Sequence, residues 1–265
     1  MEIVNISDSP FHELPYRSSG AGGKERKLNL PFYMIEATGL PEHVEAIVVT
    51  SDLQGREEDR VSNRLLGEVV AEEIELLVEC GVMPMPNVIS LSGDLYDRPD
   101  LDKLGGTGDV TSVWKTFADK FPYVVGVHGN HDIANQSDLP DNATLLDGGA
   151  RGVDGLMFGG VSGIIGRIDR NQRKTQEDYL KQLGKVLSKK IDILLLHQSP
   201  EGSKPEQIGE RSITDMLKNK GRCLVISGHI HWSESLTEIG DNKVLNTDGK
   251  VFVIKNDSAS KAVTE

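Results

Sequence analysis

Five apolar runs in this chain each break, within a residue or two of their C-terminal end, into aspartate, histidine, asparagine or glycine. They are Ala46-Ile-Val-Val-Thr-Ser-Asp52-Leu-Gln54-Gly55, Val88-Ile-Ser-Leu-Ser-Gly93-Asp94-Leu-Tyr-Asp97, Tyr123-Val-Val-Gly-Val-His128-Gly129-Asn130-His131-Asp132, Ile193-Leu-Leu-Leu-His197 and Cys223-Leu-Val-Ile-Ser-Gly228-His229-Ile-His231. Short apolar runs bounded by turn residues read as buried strands. Strands that end together in carboxylate, amide and imidazole donors place those donors along one edge of a sheet, where open α/β folds hold their ligands. The arrangement, more than the composition, predicts a metal site.

The segments between the runs read as crossovers. Within Arg56 to Cys80, Leu65, Leu66, Val69, Val70, Ile74, Leu77 and Val78 recur at helical spacing, and Gly81 is a stop signal. Strand, ligand turn, helix, strand is the βαβ order, and it repeats with a helix over Asp109 to Lys120 that turns Val113 and Phe117 inward. Trp114 reads as core or groove wall. Gly155 to Gly163 reads as a strand and a tight turn. Thr175 to Lys190 reads as an amphipathic helix capped by Thr175, with acids in its first turn and lysines in its last, and Pro205 to Lys220 as another. Glu234–Ile239, Lys243–Asn246 and Lys250–Lys255, separated by Gly240-Asp241 and Asp248-Gly249, read as an antiparallel meander.

Residues 1–45 read as an N-terminal extension or hairpin packed on a main domain of residues 46–256, followed by a fraying tail over 257–265. Phe32 to Glu36 reads as a strand. Ser18 to Glu25 has the look of a phosphate loop, but its leading glycine is missing and Glu25 stands where Ser or Thr would hold magnesium, so a hairpin tip or loop is expected. The glycine-rich stretch Arg98 to Gly108 follows Asp97 and is either the rim of a site or an ordinary connection.

A chain of 265 residues can bury one large core, and 37% hydrophobic with 26% charged residues is ordinary for a soluble globular protein. No apolar run approaches membrane-spanning length. The first residues lack the basic, apolar, small-residue order of a secretory signal, so the expected location is cytoplasmic. Cys80 and Cys223 lack the spacing of a zinc knuckle or redox motif and read as buried free thiols. A formal net charge of −12 opposes nonspecific binding of polyanions and suits bound cations.

Taken in order, the five runs resemble the calcineurin-like metallophosphoesterase family, whose pattern is Asp-x-His, Gly-Asp-x-x-Asp, Gly-Asn-His-Asp/Glu, an isolated histidine after a strand, and Gly-His-x-His. The resemblance spans Asp52 to His231. It implies an α/β (α+β four-layer) fold, a central β-sandwich of two mixed sheets flanked by helices on both outer faces. It also implies hydrolysis of a phosphate ester by in-line attack of a metal-bridging hydroxide, with two divalent metal ions as cofactors. By position, Asp94 would bridge the two ions, Asp52, Gln54 and His231 would hold one, and Asn130, His197 and His229 the other. Mixed oxygen and imidazole donors suit Mn best, with Fe or Zn as alternatives, and suit Ca or a thiolate-held metal less well. Two such ions about 3.5–4 Å apart can orient a phosphate and neutralise charge as phosphorus is attacked.

The resemblance gives His131 the task of protonating the leaving oxygen or steadying the equatorial charge. Asp97 then either holds the His131 imidazole in one tautomer or serves as a turn or capping residue. Arg98 and Asn130 are the substrate-binding candidates, Arg98 as a bidentate phosphate clamp or else a surface arginine. His128 either faces the site or is packed; His12 and His43 read as surface. Gln54 is the departure, since the family most often has histidine there and an amide carbonyl is a weaker donor that cannot act as a base. The acidic chain favours a soluble phosphodiester such as a small nucleotide as substrate, with no membrane partner. The competing readings are a catalytically degenerate binding or scaffold protein, with Gln54 as its signature, and a metal-dependent nuclease.

Overall fold

The ligand-bearing runs fold as strands because their side chains find apolar surroundings on both faces of a sheet. The computed structural model describes residues 1–103 and 105–257; of the tail expected to fray, residues 258–265 lie outside the described residues. In chain order the elements begin with β1 (Glu2–Ile6), β2 (His12–Ser19), β3 (Glu25–Thr38), β4 (Ala46–Ser51), β5 (Arg56–Glu57), α1 (Leu66–Glu79) and β6 (Pro86–Leu91). Next come β7 (Gly108–Asp109), α2 (Thr111–Lys120), β8 (Tyr123–Gly126), β9 (Asp132–Ile133), β10 (Ala143–Leu145), β11 (Gly149–Val153) and β12 (Leu156–Val161). Then follow β13 (Ile164–Ile165), β14 (Arg173–Lys174), α3 (Gln176–Leu187), β15 (Ile193–Gln198) and α4 (Arg211–Asn219). The chain closes with β16 (Leu224–Gly228), β17 (Leu236–Ile239), β18 (Asn242–Asn246) and β19 (Lys250–Asn256).

The result is a mixed α/β fold with several sheets and few helices. One sheet has the order β10-β8-β6-β4-β19-β3-β2-β5, with β1 beside β3, and a second has the order β11-β12-β15-β16-β18-β17. Strands β4, β6, β8 and β10 run parallel, as do β12, β15, β16 and β18. Alternation along each strand divides the apolar residues among three clusters. Ala46, Val48, Ile89 and Val124 join residues of α1 and α2, including the fully buried Trp114. Ile47, Val49, Val88 and Val125 meet Phe158, Ile193, Leu195 and Ile226 of the other sheet. Leu194, Leu196 and Val225 join α3 and α4. Among the described residues, no helix is long and apolar enough to cross a membrane.

Several local expectations change. Helix α1 starts at Leu66, not near Arg56, because Arg56 and Glu57 first pair with Arg17 and Tyr16 of β2. Glu68 then accepts the Leu65 amide at 2.9 Å and closes the first turn. Helix α4 is likewise confined to Arg211–Asn219. The C-terminal meander is half correct. β17 and β18 form an antiparallel hairpin, but β19 leaves for the other sheet, where it inserts antiparallel to β4 and parallel to β3. The reason lies in its composition. Val251 and Val253 face one apolar cluster and Phe252 and Ile254 the other, so this strand needs cover on both faces, which an edge position cannot supply.

The glycine-rich stretch near residue 20 is a hairpin tip, with the Gly20 amide donating to the Lys24 carbonyl at 2.8 Å. Cys223 is buried as expected, but Cys80 is exposed because it is the C-cap of α1. His43 is exposed beside Asp154, and His12 is partly covered by its 2.8 Å contact with Glu73.

Candidate metal centre

Five strand ends converge on one carboxylate. β4 delivers Asp52, β6 delivers Asp94, the turn after β8 carries Asn130 and His131, β15 contains His197, and β16 leads into His229 and His231. Asp94, 3% exposed, lies at the centre. Its Oδ1 accepts the His131 amide at 2.9 Å, and its Oδ2 lies 3.3 Å from His197 Nε2 and 3.9 Å from His131 Nε2. Gln54 Nε2 donates to the same Oδ2 at 3.2 Å. One potential ligand atom from each of Asp94, His197 and His229 falls within 4.8 Å of the others.

The backbone bends sharply to reach this arrangement. Asp52, Asp94 and His229 all adopt left-handed backbone, with φ of 53°, 55° and 70°. That region costs an L-residue about 1–2 kcal/mol. The bends persist because every amide involved is tied down. Asp52 N–H donates to the Gly93 carbonyl at 2.8 Å, Asp94 N–H to Asp132 Oδ2 at 2.8 Å, and His229 N–H to Asp52 Oδ2 at 3.0 Å. Two glycines are required by space alone. A Cβ on Gly129 would stand 2.0 Å from Asp94 Oδ1, and one on Gly228 would stand 2.2 Å from Asp52 Oδ2.

The donor set fits cations. Among the described residues Asn130 Oδ1 is buried with no hydrogen-bond partner, and His197 Nε2 meets only the Asp94 carboxylate, 3.3 Å away. His197 Nδ1 lies 2.9 Å from the Ser92 carbonyl and donates to it, which leaves Nε2, turned to Asp94, as the ring atom that a cation could take in place of a proton. His231 is arranged alike, with Nδ1 3.0 Å from Asp248 Oδ2. Electrostatics point the same way. Burial opposes a charge on either partner of the Asp94–His197 pair, but their mutual attraction wins, holding Asp94 down to about 2 and pushing His197 up to about 10. Burial, then the nearby Asp248, lifts Asp52 well above the usual carboxylate range. Burial, then the charge on His197, holds the His229 ring down to about 4 and so keeps it a neutral donor at pH 7. Buried carboxylates crowded in this way call for positive charge, which bound cations supply.

Gln54, His131, His197 and His229 are thus gathered around Asp94, with Asp52 accepting the His229 amide, while Asn130 belongs to the same turn as His131 and His231 stands at the exposed margin, held by Asp248. Gln54 as placed offers its amide nitrogen to Asp94, so presenting Oε1 to a cation requires a half-turn of the amide. The structure does not bring Asp97 against His131. Its carboxylate accepts the Arg98 amide at 2.8 Å and the Ser19 hydroxyl at 3.4 Å, while among the described residues His131 Nδ1 has no hydrogen-bond partner. Arg98 is held by the acids of its own loop, Asp102 at 2.7 Å and Asp100 at 3.4 Å, rather than free as a clamp. That loop does rim the centre, since a Cβ on Gly105 would lie 2.9 Å from His131 Cε1. His128 is packed, its amide donating to Ser162 Oγ at 2.9 Å.

Two residues that the strand-end pattern does not single out organise the centre. Asp132 is fully buried and accepts three amides at 2.8 Å each, from Asp94, Leu95 and Gly129. Asp248 fixes the tautomer of His231. Asp132 is visible as the last residue of Gly-Asn-His-Asp; Asp248 is hidden in what reads as a turn pair.

Asp132→Asn leaves one oxygen to serve three amides and turns an NH2 group toward another donor. It should lower stability by about 1–3 kcal/mol and reduce bound metal, read by urea denaturation and elemental analysis. The buried histidines give a pH dependence. Burial pushes the pKa of His128 down to about 4, as with His229. A ring that is neutral when folded but protonates near pH 6.5 when unfolded contributes stability that is complete above about pH 6.5 and lost as pH falls toward 4. Asp132 and Asp52 work against this, because burial raises both, Asp132 to about 6, and the folded state then takes up a proton first. His128→Gln removes the His128 share of that dependence, so from about pH 6.5 to 4 the chelator-treated variant should lose less stability than the chelator-treated parent, read in urea midpoints measured across the range.

Comparison with known proteins agrees with this geometry. The chain matches the sequence pattern of the Calcineurin-like phosphoesterase family over residues 46–233. No protein of curated function matches it in sequence. Among solved structures, TT1561 of Thermus thermophilus is 17% identical with a TM-score of 0.54, covering 77% of this chain and 88% of that one. A second solved structure is 10% identical with a TM-score of 0.51, covering 77% and 90%. A protein of unknown function from Aquifex aeolicus, AQ665, is 15% identical over 83% and 97%, but its TM-score of 0.34 carries no weight for the fold. Matched over most of its length, and through the segments that build the centre, the chain belongs to the calcineurin-like phosphoesterase family, whose members are metal-dependent hydrolases of phosphoesters.

Proposed function

We propose that this chain hydrolyses a phosphodiester of a small, soluble, nucleotide-like compound, using two divalent cations of which Mn suits the donors best. The observation that carries the reading is the buried Asp94 carboxylate, with one potential ligand atom each of His197 and His229 within 4.8 Å. Asp94 would be shared between the cations, with Asp52, Gln54 and His231 on one side and Asn130, His197 and His229 on the other. Bound there, the cations would lower the pKa of water and neutralise phosphate charge.

The remaining steps fall to the chain. His131, anchored through its amide to Asp94 and with Nδ1 unpartnered, would hand a proton to the leaving oxygen. Gly105 against its ring limits where that proton can go. Arg98 would bind phosphate only by exchanging Asp102 and Asp100 for it, which makes it a mobile contact. Asp97 would act on the rim, holding the Arg98 amide and Ser19, rather than on the proton donor. The same reading takes residues 46–256 as the catalytic domain with residues 1–45 packed on it, in the layer order helices, sheet, sheet, helices. The pairing of β3 with β19 and the three apolar clusters support that order.

A second reading has its own observation: Gln54 donating to Asp94 caps the carboxylate on the side of the first cation, as in a site that binds without turnover. Hydrolysis separates the two. Protein stripped of metal and resupplied with Mn, Zn, Mg or Fe(II) should turn over bis-p-nitrophenyl phosphate, with Mn restoring activity and occupancy approaching two ions per chain. Asp94→Asn and His229→Ala should each lower kcat by at least about a thousandfold with the fold intact by circular dichroism. Full activity in either would end the dinuclear proposal, and no turnover with low occupancy would favour the binding protein. Gln54→His should raise metal occupancy or shift metal preference, and an unchanged metal profile would remove residue 54 from the ligand set.

A further inference from the structure

The edge that carries the ligand-bearing strand ends continues past His231 into a cavity of about 390 Å³, within the size range of small-molecule sites. Ile6, Tyr33, Leu236 and Phe252 give it apolar walls, and Ser7 and Ser233 are among its polar groups. Strand directions place it on that edge. β19 runs antiparallel to β4, so its first residue, Lys250, lies opposite Ser51, next to Asp52. β3 runs parallel to β19 and sets Tyr33 opposite Phe252. β17 runs antiparallel to β18, and β18 parallel to β16, so Leu236 begins β17 at the end where β16 delivers His229.

The cavity wall and the metal centre are also joined directly. Asp248 holds His231, and Lys250, two residues on, donates from Nζ to the Trp232 carbonyl at 2.9 Å. Ser233 and Lys250 are each two residues from His231 and Asp248, a span of at most about 7 Å. The lining suits a flat ring with polar edges. Tyr33 and Phe252 stack with centroids 5.5 Å apart and planes 27° apart; Phe252 is buried, whereas Tyr33 is partly exposed. Ser7 Oγ accepts the Met34 amide at 3.1 Å, which leaves its hydroxyl proton to donate.

We propose that this cavity is a nucleobase subsite, in which the base lies against Tyr33 while its phosphate reaches the metal edge beside His231. Where the phosphate goes rests on the phosphoesterase reading; the ring site does not. Its test therefore starts without phosphate or metal. In saturation-transfer NMR with the full chain, metal-free, saturation should reach the base protons of at least one of adenosine, guanosine, cytidine and uridine. By calorimetry on the Mn-loaded protein, the matching nucleoside monophosphate should bind about tenfold tighter than ribose 5-phosphate, as one base–aromatic stack provides. Both signals should vanish in Tyr33→Ala and in Ser233→Arg, the second at an exposed position where the fold is kept. No transfer to any of the four nucleosides, or transfer that survives both variants, overturns the subsite. Nucleoside binding without hydrolysis would sink the phosphoesterase reading and leave the subsite supported.

Discussion

A charged carboxylate taken out of water is the constraint on which this structure turns. Asp94 is almost fully buried, and an isolated carboxylate there would be neutralised rather than tolerated. It stays ionised because the His131 amide, the Gln54 amide and the His197 ring all face it. The attraction between the pair favours a proton on His197. A metal ion bound at this ring would replace that proton and would find the ring already oriented by the Ser92 carbonyl, so metal uptake and proton release would be one exchange.

The polar centre exists where it does because the surrounding backbone is over-determined. Three of its residues hold left-handed bends that no isolated peptide would keep, and each bend is fastened by a hydrogen bond from its own amide. Asp132 does most of the fastening between strand ends, its two oxygens accepting three amides from two different turns. The glycines of the ligand motifs are the counterpart of this crowding. At Gly129 and Gly228 a carboxylate oxygen of a neighbouring strand end occupies the space a side chain would need.

What can be read along the chain is whatever is local. An apolar run that stops in polar donors is legible as a strand end, and the order of five such runs brings Asp52, Asp94, Asn130, His197 and His229 together as candidates from the residues alone. Helix positions are legible from spacing, but their first residues are not: α1 loses its expected first turns to a two-residue strand whose partner lies 40 residues away in β2. Motif position places Asp97 and Arg98, yet their partners are a serine on the N-terminal hairpin and acids of the following loop, neither of which motif position encodes.

The sequence by itself determined that the donors suited to a cation lie at strand termini, because hard-oxygen and imidazole groups end its apolar runs. It also determined the βαβ alternation, which follows from hydrophobic period. Only the tertiary structure decided that β19 leaves its hairpin neighbours to sit between β3 and β4, since burial on both faces is a property of neighbours and not of alternation. That crossing carries Asp248 to His231, lays Lys250 under Trp232, and brings Phe252 against Tyr33. These contacts were therefore written in strand pairing, where long-range contacts and desolvation outweigh any local preference.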